Sequence, residues 1–112
     1  MIYDENLMNR KKELIQDIRH STDIFKAFSD PIRQDIFLLF MMSKRMNVAE
    51  VVEQSHLSRP AISHHLKILK QAGILQSTKV KTEVFYTLNT GDSVITKLKS
   101  IVETAEMIMK SE

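Results

Sequence analysis

The chain has 112 residues and a mass of 13.0 kDa, enough for one small domain and too little for a two-domain enzyme. Hydrophobic residues make up 43% and charged residues 27%, and only two Gly and two Pro occur, which favours a globular helical protein over a disordered or turn-rich one. Cysteine is absent, which excludes disulfides, thiol catalysis and thiolate metal ligands. The acidic start and the lack of a long apolar run predict a cytoplasmic protein with no membrane contact.

Charge is distributed unevenly along the chain. Residues 57–82 contain no Asp or Glu, and the remainder of the chain has a net negative charge although the whole is +2. Such segregation is typical of a surface that binds a polyanion. The cations of this basic segment are Arg59, Lys67, Lys70, Lys79 and Lys81.

The first third of the chain predicts three helices. An amphipathic helix is expected over residues 4–20, and Ser21 or Thr22 is expected to cap a short second helix. Asp30 and Pro31 suit the start of a third helix that ends near Ser43. Its apolar side chains nearly encircle it and predict a central buried element, and they are Ile32, Ile36, Phe37, Leu39 and Phe40.

Residues 47–72 predict a helix-turn-helix. Asn47 followed by Glu50 has the spacing of a capping box, which places the start of a short helix here. Ser58 and Pro60 suit the start of the next helix, and Gly73 suits its end. The side chains expected on the outward face of this second helix are Arg59, Ser63, His64, Lys67 and Lys70.

Two strands and a terminal helix are expected in the last third. Residues 74–79 and 83–88 alternate with period two and predict a hairpin, joined by a loop of three or four residues around 80–82. Residues 74–88 would form this two-stranded wing, and a last helix is expected over 92–110. That helix repeats apolar residues with 4-3-4-3 spacing, which predicts a homodimer. The expected dimer contacts are Leu14, Ile18, Val94, Leu98, Ile101, Val102, Ala105 and Ile108.

Three segments resemble the ArsR/SmtB family of bacterial transcriptional repressors. They are FKAFSDPIRQDIF at 25–37, LSRPAISHHLKILKQAGIL at 57–75 and FYTL at 85–88. The resemblance implies a mainly α (α+β) winged helix-turn-helix fold with terminal dimerisation helices. It also implies a homodimer that represses transcription by occupying double-stranded operator DNA.

A recognition helix in the major groove accounts for the residue types of the basic segment. Short polar side chains can read base edges, and lysines are suited to phosphates. Arg59 suits either a guanine or a phosphate, and either His64 or His65 matches the histidine of the family's DNA-binding helix. The expected DNA contacts are Ser58, Arg59, Ser63, His64, His65, Lys67, Lys70, Lys79 and Lys81.

The usual metal sites of the family lack their ligands here. No thiol lies near residues 46–52 and no histidine lies in 89–112. Asp17 and His20 are half of a metal site at most, and the seven methionines are explained by core packing. We therefore expect no metal and no cofactor.

Catalytic patterns are also missing. No acid lies between Glu53 and Glu83 to complete a triad with the nearby serines and histidines, and no glycine-rich loop is present, so we expect no enzyme. Two other functions stay open: a protein-interaction module, and a regulator that senses an unidentified organic inducer between the terminal helices. The sequence shows no polar cluster there that would identify a ligand.

Overall fold

A computed structural model describes residues 5–91 and 94–111. The described elements, in chain order, are α1 (Glu5–His20), α2 (Thr22–Phe28), α3 (Pro31–Met42), β1 (Met46–Asn47), α4 (Val48–Glu53), α5 (Arg59–Gln71), β2 (Leu75–Val80), β3 (Glu83–Leu88) and α6 (Val94–Ser111). The predicted mainly α winged-helix fold is confirmed. The predicted first residues of the first and last helices, Asp4 and Asp92, lie outside the described residues.

The predicted starts of three helices are confirmed by their hydrogen bonds. The Asp30 carboxylate accepts from the backbone N–H groups of Ile32 and Arg33, at 2.8 and 3.2 Å. Asn47 and Glu50 form the reciprocal capping box, and Ser58 accepts from Ala61 N. The second helix differs, because Ser21 occupies the N-cap position but makes no capping hydrogen bond with its side chain.

The central buried element is α5, not α3 as predicted. Ile62, Leu66 and Leu69 of α5 are all 0% exposed. Of α3, Ile36 and Phe40 are buried, whereas Leu38 is 56% exposed. The apolar residues of α3 encircle the helix but only one side of it meets the core.

The core-packing explanation holds for few of the methionines. Met46 is buried in the core, but Met41, Met42, Met107 and Met109 are exposed large hydrophobic residues. The prediction was wrong for these four because the helix faces that carry them are uncovered in the single chain.

The sheet has three strands in the order β1-β3-β2, not the two predicted. Met46 pairs with Tyr86 and Asn47 with Phe85 in antiparallel register. A two-residue strand leaves no period to detect in a sequence, and Asn47 also serves as the N-cap of α4. The added strand joins the hairpin to the helix-turn-helix.

The hairpin turn is tighter than predicted. Val80 pairs with Glu83, so Lys81 and Thr82 alone form the turn, not three or four residues. Lys81 has a φ of +58°, a conformation usually taken by glycine. Gly73 has a φ of +80°, as predicted for the end of α5.

The described chain is elongated. It measures 62 × 26 × 20 Å with a radius of gyration of 18.0 Å, whereas a compact chain of this length has about 13 Å. Helices α1 and α6 pack on each other, with the end of α1 beside the start of α6, so they run antiparallel.

Candidate nucleic-acid interface

Helix α5 is fixed on three sides by the rest of the fold. It packs against α4, α2, α3 and β2, and its buried leucines belong to the central core. Ser58 caps its first turn, Pro60 lies where no amide partner is needed, and residues 54–58 connect it to α4. The helix is therefore held rigidly with one face uncovered.

The uncovered face of α5 is a continuous polar arc. At about 100° per residue, its exposed positions fall within some 140° and its buried ones on the opposite side. The outward placement predicted for five side chains is observed. The exposed set is Arg59, Pro60, Ser63, His64, Lys67, Lys70 and Gln71, of which Pro60 and Gln71 were missed.

His65 lies outside this arc, although it was included among the expected DNA contacts. Its Nδ1 is 3.3 Å from Nη1 of Arg33 on α3. Because arginine can only donate, Nδ1 of His65 is the acceptor in this contact. Burial lowers the pKa of His65, and Arg33 and His64 lower it further against the opposing effect of Asp30. Of the two adjacent histidines, only His64 is exposed.

Arg33 joins three helices, which the sequence analysis missed. Its Nε donates to Ala27 O at 2.9 Å and its Nη2 to Lys26 O at 3.1 Å, which satisfies carbonyls at the end of α2. Asp30 lies 3.6 Å from its Nη1, and although burial raises the pKa of Asp30, the backbone hydrogen bonds and the Arg33 charge give a net lowering. The Asp-Pro-Ile-Arg run at residues 30–33 was the sequence feature that could have indicated this role of Arg33.

The β2–β3 hairpin places lysines beside α5. Leu75, Ser77 and Lys79 share one face of β2, and Leu75 is buried in the core that α5 completes. Lys79 therefore lies on the same face of the hairpin as Leu75, which packs into the core beside α5. Lys81 is exposed at the turn.

A further cation lies on the opposite face of the hairpin. The guanidinium of Arg45 stacks over the Phe85 ring at 4.2 Å from its centroid. Arg45 comes immediately before β1, so its position depends on a strand that the sequence did not reveal.

The expected dimer contacts fall into three groups by their exposure. Val94 and Ile108 are buried within the single chain, and Leu14, Leu98, Ile101 and Ala105 are half-buried. Ile18 is 38% and Val102 is 56% exposed. A stripe of α6 with seven-residue spacing is uncovered, and it consists of the expected contact Val102 together with Ile95 and Met109.

Over residues 5–91 and 94–111, no three His, Cys, Asp or Glu side chains come together as a metal site would require. No helix in that part of the chain is both long and apolar enough to cross a bilayer.

A helix-turn-helix with a basic hairpin beside its second helix defines a winged-helix DNA-binding protein. The model of the arsR family of bacterial regulatory proteins matches residues 30–77. A helix-turn-helix-type transcriptional regulator of Methanocaldococcus jannaschii is 42% identical over 66 residues, which cover 59% of this chain and 74% of the relative. The transcriptional repressor SdpR of Bacillus subtilis is 40% identical over 68 residues, 61% of this chain and 74% of that one.

The fold agrees with the sequence matches. An ArsR-like transcriptional regulator from Rhodococcus superposes with a TM-score of 0.65 at 24% identity, covering 84% of this chain and 83% of the other. The chain belongs to the arsR family and is a DNA-binding transcriptional regulator. This family acts by binding DNA and not by catalysis.

Proposed function

We propose that the chain is a homodimeric repressor that binds a double-stranded operator through α5 and the β2–β3 hairpin. The observation that carries the proposal is the polar arc of α5, which is exposed and lies in a segment without any carboxylate. A helix held by its buried side and uncovered on a cationic side is suited to the major groove. A repressor of this kind acts in the cytoplasm, where the operator is.

The residue types divide the contacts into two kinds. Ser63 and His64 lie in the arc and are short enough to exchange hydrogen bonds with base edges, while Arg59 reaches a guanine or a phosphate. Ser58 already accepts from Ala61 N, so its hydroxyl proton is left to donate to a phosphate. The groups assigned to phosphates are Lys67, Lys70, Lys79 and Lys81.

His65 is left out of the proposed DNA contacts. Its ring is engaged with Arg33 on the inner side of α5, so it positions the helix and does not read bases. The stripe of Ile95, Val102 and Met109 on α6, with Ile18 of α1, supplies uncovered apolar surface for the second protomer. A two-fold dimer presents two α5 helices to successive major grooves.

The test begins with an operator obtained by selecting random duplexes on the purified protein. Affinity for that duplex and for a scrambled one is then measured across a salt series. Binding is expected to fall by about 10³–10⁵ between 50 and 200 mM salt if most of the lysines of both protomers meet phosphates. Failure to select a duplex, or affinity independent of salt, contradicts the proposal and favours a protein-interaction module.

Single substitutions separate helix from hairpin. Ser63→Ala or His64→Ala is expected to cost about 1–3 kcal/mol on the operator and little on the scrambled duplex. Lys79→Ala or Lys81→Ala is expected to weaken both duplexes alike and to reduce the salt slope by about one phosphate per protomer. If Lys81→Ala changed the sequence preference and His64→Ala did not, the hairpin and not α5 would recognise the base sequence.

A further inference from the structure

A polar cleft lies where the last turn of α1 meets the first turns of α6. Its volume is about 270 Å³, and it is lined by six residues with polar or charged side chains, although most of the surface that they present to it is carbon: Asp17, His20, Ser21, Thr96, Lys97 and Ser100. The sequence by itself shows no polar cluster here that would identify a ligand. Residues from the two ends of the chain form this cluster, so no local pattern revealed it.

Charges of both signs in this cleft form no ion pair with any other residue that the structure describes. Asp17 and Lys97 line the same space, yet the ion pairs among the described residues are Asp30–Arg33 and Lys99–Glu103. Ser21 is 1% exposed and makes no capping hydrogen bond with its side chain, although it precedes α2. The cleft thus holds an acid and a base that are available to a ligand, and Ser21 borders it.

We propose that this cleft binds a small zwitterion, such as a free amino acid, that carries one ammonium and one carboxylate group. Lys97, with the hydroxyls of Thr96 and Ser100, receives the carboxylate. Asp17 receives the ammonium, and His20 and Ser21 border the remaining space.

The charge and the volume of the cleft favour this class over others. A simple anion would lie against Asp17 and a simple cation against Lys97, whereas a zwitterion pairs with both. A divalent metal would have two ligands in Asp17 and His20 and a cation beside it, and no third acid or histidine joins them among the described residues. The volume is below that of a site for a drug-sized ligand and suits a molecule of amino-acid size.

The test uses the full chain without DNA, so it stands apart from the test of the repressor. Isothermal titration calorimetry and thermal melting are carried out with each of the common free amino acids, and with acetate, methylammonium and Zn²⁺ as single-charge and metal probes. At least one amino acid is expected to bind with one site per chain and to raise the melting temperature. Acetate, methylammonium and Zn²⁺ at the same concentration are expected to leave it unchanged.

Two charge-removing variants locate the site. Asp17→Asn and Lys97→Gln are each expected to weaken binding of that amino acid about tenfold or more. Glu13→Gln on α1 and Lys99→Gln on α6 make the same changes in charge outside the cleft and are expected to bind as the unaltered chain does. Both cleft residues are polar and not fully buried, so circular dichroism is expected to show all four variants folded.

Several results would overturn the proposal. One is the absence of heat and of any melting shift with every amino acid. Another is amino-acid binding that survives in both Asp17→Asn and Lys97→Gln, which would place it elsewhere. Zn²⁺ binding that is lost in His20→Ala would make the cleft a metal site, and acetate binding as tight as the amino acid's would make it an anion site.

Discussion

The two parts of this molecule are stabilised in different ways. The DNA-reading part, residues 22–91, surrounds α5, of which Ile62, Leu66 and Leu69 are fully buried. The terminal pair is sparsely packed, because α1 has no buried residue and α6 has only Val94 and Ile108. The comparison shows that most of the core lies in the reading part, with Val94 of α6 added to it, whereas the terminal pair buries little within the single chain. The second protomer that we propose would cover the terminal pair.

The largest expected effect is in the core of the reading part. Leu66→Ala is expected to lower the free energy of unfolding by about 2–5 kcal/mol, because it leaves a cavity in a fully buried site. Urea denaturation measures the loss. Met107→Ala on α6, where the side chain is 45% exposed and lies outside the stripe of Ile95, Val102 and Met109, serves as the control and is expected to change the stability little. Equal losses in the two variants would remove the distinction between the parts.

The next effect concerns the uncovered stripe of α6. Val102→Asp is expected to cost the proposed dimer about 1–3 kcal/mol per protomer, because it would place a polar group in the proposed apolar interface. Sedimentation equilibrium measures the shift to monomers, and Ser111→Asp at the exposed end of α6 is the control. A dimer unaffected by Val102→Asp would show that the protomers meet elsewhere.

A fall in pH is expected to lower the free energy of unfolding of the reading part through protonation of His65. Its pKa lies below the ordinary 6.5, mainly because of burial, so the unfolded chain takes up this proton at higher pH than the folded chain does. The contribution of His65 is complete above about pH 6.5 and is lost as pH falls through its lowered pKa. Denaturation midpoints from pH 7 to 5 measure the decline, and His65→Gln is expected to flatten it. An identical pH dependence in that variant would assign the decline to other groups.

The smallest effect is at the hairpin turn. Both Lys81→Gly and Lys81→Ala remove the charge, but only glycine takes the positive φ of +58° without strain. The glycine variant is therefore expected to be more stable than the alanine variant by about 1 kcal/mol, with equal loss of DNA affinity. Thermal melting and duplex titration of the pair separate conformation from charge, and equal melting temperatures would show that the turn relaxes.

Sequence reasoning succeeded where the determining contacts are local. The capping residues Asp30, Asn47 and Ser58 bond to backbone groups two or three positions away, so their spacing alone located three helix starts. The outward arc of α5 follows from helical periodicity in the same way.

It failed where the deciding partner is distant in the chain. The contact of Arg33 with His65 joins residues that lie 32 positions apart, so no local pattern indicated that His65 is engaged within the fold. Strand β1 exists only because β3 lies beside it, and the polar cleft needs both ends of the chain. The exposure of Leu38 depends on the shape of the core around α3 and has no local signal.

Asn47 gives the molecule a mechanical property. One residue pairs with Phe85 of the hairpin and caps α4 through Glu50, so no flexible linker separates the two units at this point. We expect a load applied to the hairpin by a bent or narrowed duplex to be passed through Asn47 to the helix-turn-helix. If both units contact DNA as proposed, we expect them to move as one body and to discriminate between duplexes by their stiffness as well as by their bases.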